Sequence, residues 1–311
     1  MTSFEPTTFL ITGSTDGIGL FTVKCLVDHA LQRKDEKFVI GLHGRCQERI
    51  RNAVSTVNEM IPKEKNKWIE IIDFCYDLSD IAQVKLFVGD VIKRFTFDSC
   101  GFKLDVLVNN AAIFDDLGPR KDPDGRFELT FAVNVIAPFV ITYKLLEQAY
   151  QCKSFIKKVV NTSSISHTDC YHHLQEIDYS NLQFENGLKW TSFNSYGLSK
   201  QLVIMFTRGF FYEEEWNKKI INNTCMINMD PGTVNTKMLL AGWGECGIPV
   251  DQARDTFHLA VDNSFFHPES EPKYYTHLRQ RTPADICCNK SACLELFRYL
   301  ENLCGLKDCP H

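Results

Sequence analysis

Short runs of apolar, often β-branched residues alternate along the chain with longer segments in which apolar positions recur every three or four residues. The short runs, 7–12, 38–42, 68–74, 104–108, 156–161 and 220–228, are nearly continuous in apolar residues. That is the pattern of strands covered on both faces. The longer segments, 18–31, 46–60, 81–95, 126–150 and 195–216, predict helices, and a further short helix is expected over 294–300. In the third, Val84, Phe87, Val88, Val91, Ile92 and Phe95 form one stripe at helical spacing. Strand and helix in alternation predict an α/β fold, a Rossmann-type doubly wound parallel sheet with helices on both faces. No repeat or linker divides the sequence, so a single domain over 1–311 is expected. Residues 235–283 are irregular and bear Gly, Pro and His. Ligands of such folds bind beyond the carboxyl ends of the strands, so this stretch is expected to cover a substrate. The 195–216 segment is apolar nearly all round, which predicts burial on more than one side, within the fold or in a homo-oligomer.

Composition narrows the classes. The chain has 311 residues, 34 Lys+Arg against 39 Asp+Glu, 44% hydrophobic and 23% charged residues. These values exclude wholesale disorder, collagen-like repeats and coiled coil. A net charge of −5 offers no basic footprint for nucleic acid or an anionic membrane. Thirteen cysteines is an odd number, and the polar start of the chain lacks a signal-peptide pattern. Reduced thiols and a cytoplasmic location are therefore expected. Cys287, Cys288, Cys293, Cys304, Cys309 and His311 lack the paired spacing of a zinc site, so no metal is expected. The longest apolar stretch, 131–146, contains Asn134 and Pro138 and is too short to span a bilayer, so no membrane anchor is expected.

The first strand ends in Thr12-Gly13-Ser14-Thr15-Asp16-Gly17-Ile18-Gly19 and runs straight into a helical pattern. Glycines there permit a tight turn whose backbone N–H groups approach a pyrophosphate, beside the positive end of a helix. After the second strand, where an acidic residue would favour NAD, stands Arg45. Its planar fork suits a 2′-phosphate, so NADP(H) is preferred over NAD(H), with Asp16 as a counter-signal. Tyr196 and Lys200 stand four apart at the start of a helical pattern, on one face. A neighbouring ammonium is expected to lower a phenol pKa from near ~10 and so make a general acid and base.

With these residues the sequence resembles the short-chain dehydrogenase/reductase family. TGSTDGIG matches its glycine motif, Asp77-Leu78 its acidic-Leu pair, and Asn109-Asn110-Ala111-Ala112 its N-N-A-G motif. Asn134 matches the helix asparagine, Ser164 the strand-end serine, Tyr196 and Lys200 the Y-x-x-x-K pair, and Pro231-Gly232 with Thr236 the P-G-x-x-x-T segment. The resemblance implies that Tyr196 transfers the proton, Lys200 lowers its pKa and holds the nicotinamide ribose, Ser164 bonds the substrate oxygen, and Asn134 fixes a relay water. It also implies that Asp77 meets the adenine, Asn109 and Ala111 lie along the cofactor, and Thr236 reaches the carboxamide. Gly13, Ser14, Thr15, Gly17, Ile18, Gly19, Arg45, Leu78, Pro231, Gly232 and Val234 would complete the cofactor contacts.

The chain departs from the family pattern in Ala112 for glycine and in a long interval between Ser164 and Tyr196. That interval contains Tyr171, His172, His173, Ile177, Asp178 and Asn181. The long interval and Lys273-Tyr274-Tyr275 are similar to the branch of retinol dehydrogenase, WW-domain oxidoreductase and protochlorophyllide reductase. That branch implies NADPH and bulky apolar carbonyls or alcohols; its membrane-bound members carry an N-terminal apolar anchor, for which no counterpart is expected here. His172-His173 is read as a solvated turn. Trp243, Phe257, Phe265 and Phe266 are read as pocket lining or as packing. The expected function is an NADP(H)-dependent oxidoreductase for an apolar small-molecule carbonyl or alcohol. The alternative is a non-catalytic NADP(H)-binding regulator or interaction protein on the same fold.

Overall fold

The computed structural model describes residues 5–33, 36–169, 179, 182–184 and 189–307. His172, His173 and half of the long interval, with Cys309 and His311, lie outside the described residues. β1 (Thr7–Ile11), α1 (Gly17–Gln32), β2 (Phe38–Gly44), α2 (Gln47–Asn58), β3 (Ile69–Cys75) and α3 (Ile81–Arg94) form the first half. A hairpin of β4 (Thr96–Phe97) and β5 (Gly101–Phe102) leads to β6 (Val106–Asn109). Then α4 (Leu129–Phe131), a π-helical turn (Ala132–Ile136) and α5 (Ala137–Gln151) run as one rod to β7 (Lys158–Thr162). α6 (Ser192–Tyr212), α7 (Glu214–Ile220), β8 (Cys225–Asp230), α8 (Lys237–Trp243) and α9 (Asp255–Val261) follow. A second hairpin, β9 (Lys273–Thr276) and β10 (Arg279–Arg281), precedes α10 (Asp285–Cys288) and α11 (Lys290–Leu303).

Eight strands make one sheet in the order β10-β9-β8-β7-β6-β1-β2-β3, parallel throughout except for β10. Leu10, Leu107, Val159 and Met226 join a core with α3, α5, α6 and α11 on one face. On the other face, Ile11, Ile40, Val108 and Ile227 pack with α1, α2 and α9. Residues of one strand thus alternate between two dry layers, which is why the strands read as continuous apolar runs.

Capping sets several boundaries. Asp80 accepts from the N–H groups of Ala82 and Gln83 to start α3, and Thr191 accepts from Asn194 N at 3.1 Å to start α6. Glu128 caps α4, so the helix expected from 126 begins at Leu129 instead. The strand expected over 220–228 begins only at Cys225. Trp216 and Ile220 stand at helical spacing and bury themselves, Trp216 against Tyr143 and Phe210, so α7 occupies that stretch. Asn289 separates α10 from α11, which extends the helix expected over 294–300 to Lys290–Leu303. The short strands β9 and β10 carried too little pattern to be expected.

The helical rod Leu129–Gln151 is 23 residues long and contains an 18-residue window with a mean hydropathy of 1.7, long and apolar enough to cross a membrane, contrary to the expectation for 131–146. That window is 89% buried inside the fold, in the core shared with α3 and α6, and the burial accounts for its apolarity. The all-round apolarity of α6 has an internal cause as well. One side meets the sheet and α5, and the other is covered by α11 through Phe297 on Phe210, ring centroids 4.8 Å apart. Phe297 also packs on Phe139 and Tyr143 and is wholly buried. Phe297→Ala is expected to destabilise the fold by about 3–5 kcal/mol, read as a lowered urea midpoint at unchanged slope.

Candidate active site

The carboxyl ends of β1, β2, β3, β6, β7 and β8 open onto a cleft of about 740 Å³. Its base is the glycine turn. Gly13 has φ of +63°, and a Cβ there would stand 2.7 Å from the Ala111 Cα. A Cβ on Gly19 would stand 2.4 Å from the Gly13 carbonyl. Only glycine fits where the turn, the first helical residues and the loop after β6 meet. Thr12 Oγ1 accepts the N–H groups of Asn110 and Ala111 at 3.0 Å each, and Asn110 Nδ2 donates to the carbonyls of Thr12 and Gly13.

Of the residues expected to meet a cofactor, Gly13, Thr15, Gly17, Ile18, Gly19, Arg45, Asp77, Leu78 and Ala111 line the cleft, as do Pro231, Gly232, Val234 and Thr236. Ser14 and Asn109 do not. Ser14 is fully buried, its hydroxyl donating to the Ile11 carbonyl at 2.8 Å and accepting His43 N at 3.0 Å. Asn109 points into the α5–α6 side of the sheet and donates to Thr142 Oγ1 and Asn161 Oδ1. Asn110 takes the expected place of Asn109 beside the cleft. The period-two alternation of β6 decides which of the two asparagines turns inward.

Ser164, Tyr196 and Lys200 come together at the other end. Ser163 donates to the Lys200 carbonyl at 2.8 Å, while Ser164 Oγ donates to Ser166 Oγ at 3.3 Å and stands near enough to Tyr196 to lower its phenol pKa. Lys200 Nζ lies 5.4 Å from the Tyr196 ring centroid and donates to the Thr162 carbonyl at 2.9 Å. Asn134 sits in the π-helical turn, and its side chain clamps the backbone of Ile113 through both N–H and C=O while donating to Ser199 Oγ. It reaches the site through these partners and not as cleft lining.

The electrostatics reverse one expectation. Tyr196 is pushed up by burial, with the Ser164 side chain pulling it back and Asp230 adding to the rise. The ammonium expected to lower it is itself pushed down to about 7 by burial, with Asp230 opposing. Burial is the largest cause for both groups, although Tyr196 keeps part of its surface open to the cleft.

The sequence did not point to Arg49, Lys237, Phe114 or Phe193 as site residues. Arg49, four residues beyond Arg45, lines the cleft beside it. Asp16, the counter-signal to a phosphate, is paired to Lys237 at the start of α8. Burial would raise its carboxyl, but the Lys237 hydrogen bond, the Gly17 N–H and the Lys237 charge together hold it low. Phe114 packs on Tyr196 at 5.8 Å and on Trp243 at 4.6 Å, and Phe193 on Trp243 at 5.1 Å, forming an aromatic wall over the tyrosine. Phe257, Phe265 and Phe266 lie elsewhere, packed against the core on the α1 side of the sheet. Among the described residues, no group of three or more His, Cys, Asp or Glu is placed to hold a metal ion.

His43 is a further residue the sequence did not single out. It is 3% exposed; its Nδ1 accepts Gly13 N–H at 3.1 Å, and its Nε2 lies 3.0 Å from the Tyr76 carbonyl. Accepting at one nitrogen leaves the other to donate, so one neutral tautomer braces the turns after β1 and β3.

The short chain dehydrogenase sequence family matches residues 7–176, more than half of the chain, and the protein belongs to that family. Retinol dehydrogenase 12 of Mus musculus is 30% identical over 199 residues, 64% of this chain and 54% of that protein. Polyprenol dehydrogenase of Homo sapiens is 26% identical over 234 residues, 73% of this chain and 60% of that protein. The chain thus spans little more than half the length of these curated relatives. The structure of an actinorhodin polyketide ketoreductase with NADPH superposes with a TM-score of 0.62 at 15% identity, covering 89% of this chain and 97% of that one.

Burial pushes His43 down to about 4 from an ordinary 6.5. Between these values the unfolded chain binds the proton more readily, so stability is lost as pH falls from 6.5 toward 4, by about 3 kcal/mol over the window. His43→Gln is expected to be less stable near neutrality and to show a flatter decline through that window, measured as denaturation midpoints against pH.

Proposed function

We propose that the protein is an NADP(H)-dependent oxidoreductase that interconverts a carbonyl and an alcohol on a bulky apolar small molecule. The observation that carries this reading is the meeting of Ser164, Tyr196 and Lys200 at one end of a cleft whose other end is the glycine turn. A dinucleotide fits the residues present: side chains are excluded from the turn at Gly13 and Gly19, which leaves room for a pyrophosphate beside α1. Arg45 and Arg49 stand where an adenosine ribose would lie, and Lys237 pairs with Asp16, a carboxylate that would otherwise repel a 2′-phosphate. The nicotinamide supplies or takes the hydride.

The chain's own groups would handle the proton. Burial keeps the Tyr196 phenol protonated, the form needed to give a proton to a carbonyl oxygen. Ser164, beside that phenol, would donate to the same oxygen as charge develops on it. The Lys200 ammonium then steadies the phenolate left behind. Phe114, Phe193 and Trp243 pack on one another beside Tyr196, and the exposed rings of Phe193 and Trp243 offer apolar surface to a substrate. The neighbouring structure solved with NADPH, and the retinol and polyprenol dehydrogenases among the relatives, agree with this choice of cofactor and substrate.

Oxidation of NADPH and NADH across a panel of aldehydes, ketones, quinones and steroids tests the reading. Turnover with NADPH is expected, and Tyr196→Phe is expected to lower kcat by at least about 10²-fold. Binding of NADPH without turnover of any member would instead favour a regulator. Arg45→Ala with Arg49→Ala is expected to raise KM for NADPH by about 10–100-fold and to leave KM for NADH nearly unchanged. Trp243→Ala is expected to raise KM for the bulkiest apolar carbonyls while sparing small ones.

A further inference from the structure

The carboxylate of Asp230 has no part in the serine, tyrosine and lysine chemistry, yet it lines the same cleft. Asp230 ends β8 and is 4% exposed, and its Oδ1 accepts the Gly232 N–H at 3.0 Å as the chain turns into Pro231-Gly232. Across the β7–β8 pairing, Thr162 stands opposite Met229, one residue before Asp230. The Thr162 carbonyl is the group on which the Lys200 ammonium rests. Lys200 is 2% exposed. A cation so far from water needs a negative charge near it, and a carbonyl dipole meets that need only in part.

We propose that Asp230 is the counter-charge of Lys200, a positioning residue that keeps the ammonium charged within the cleft and so sets the pH above which cofactor binding and proton transfer fail. The kinetic side of this inference rests on the proposed oxidoreductase reading; the cofactor-binding side needs no turnover.

The sign follows from both titrating partners. Burial lowers Lys200, and Asp230 is the group that pushes it back up. Burial raises Tyr196, and Asp230 raises it further. Without the carboxylate's charge the ammonium loses its support and the phenolate loses a repulsion, so both pKa values fall. The alkaline limb of activity must then move to lower pH. Other groups facing Asp230 do not change that sign. Burial raises the Asp230 carboxyl; the Gly232 N–H opposes that rise most, His277 in the β9–β10 turn opposes it next, and Asp255, opening α9, adds to it. Tyr274 of β9 stays a neutral phenol, raised first by burial and then by Asp230. From the turn after β7, Ile165 contributes a backbone N–H, and His167 is held between the Ser164 carbonyl and Ala284 N–H.

The test compares wild-type protein with Asp230→Asn, Asp230→Ser and Asp230→Glu. The asparagine amide keeps an oxygen for Gly232 N–H, so the loss of charge is separated from the loss of the turn. Two profiles are read against pH: the NADPH dissociation constant by fluorescence, and kcat/KM for the best carbonyl of the panel. In both neutral variants the alkaline limb of each profile is expected to fall by about one pH unit, with NADPH bound about tenfold more weakly above it. Asp230→Glu is expected to keep the wild-type limb. A neutral variant that folds, binds NADPH at about pH 5.5 and keeps the wild-type limb overturns the inference. Failure of both neutral variants to fold, judged by thermal melts, overturns it too, since the carboxylate then serves the fold. Absence of turnover in the wild type would sink the proposed function, and the NADPH profile would still decide the role of Asp230.

Discussion

The close approach of the turn after β1 to the loop after β6 is the contact on which the cleft depends. Two parallel neighbours in a sheet can part at their carboxyl ends only if their connections stay out of the gap, and here no side chain can enter it. Gly13 lies against the Ala111 backbone, Gly19 lies against the Gly13 carbonyl, and Asn110 and Thr12 fasten the two segments with hydrogen bonds. His43 extends the same brace to β2 and β3. Backbone dipoles of turn and helix are thereby held in fixed positions before any ligand arrives, which is how such a cradle acts on an anion without reorganising.

A second tension runs through the other end of the cleft. Lys200, Asp230 and His43 are each almost wholly removed from water, which costs stability unless hydrogen bonds and opposite charge compensate. The compensation is local: Thr162 and Asp230 for the lysine, Gly13 and Tyr76 for the histidine, Gly232 for the aspartate. The remaining stability comes from two apolar layers, with Phe206 of α6 edge-on to Phe139 and Phe210 of α6 edge-on to Phe297. A rigid core under α6 holds Tyr196 and Lys200 in register with Ser164 on a different element.

The family match ends at residue 176, before Tyr196, Lys200 and Thr236. The continuous sheet joins the matched and unmatched parts, because β8 pairs with β7 and β9 pairs with β8 in unbroken parallel register. The tyrosine and lysine reach the strand-end serine through α6, which lies along that sheet. Chain topology places Tyr196 at the cleft whatever the divergence of the segments after residue 176.

The sequence by itself determined the α/β class, the position of the glycine turn and the helical spacing of Tyr196 and Lys200. These are local matters: periodicity, a strand that runs straight into a helix, residues one turn apart. Boundaries were less legible at 126 and at 220, where one cap and one buried tryptophan overrode the apolar run. What lies between elements was decided only by the tertiary structure. Which asparagine of Asn109-Asn110 faces the cleft depends on the pleat of β6, and Phe257 lies on the far face of the sheet from Trp243. The direction in which Tyr196 shifts could not be read from its spacing to Lys200, because desolvation depends on everything packed around the pair. Arg49, His43 and Asp230 were silent for the same reason: their roles come from partners far away in sequence, which only the folded chain brings near.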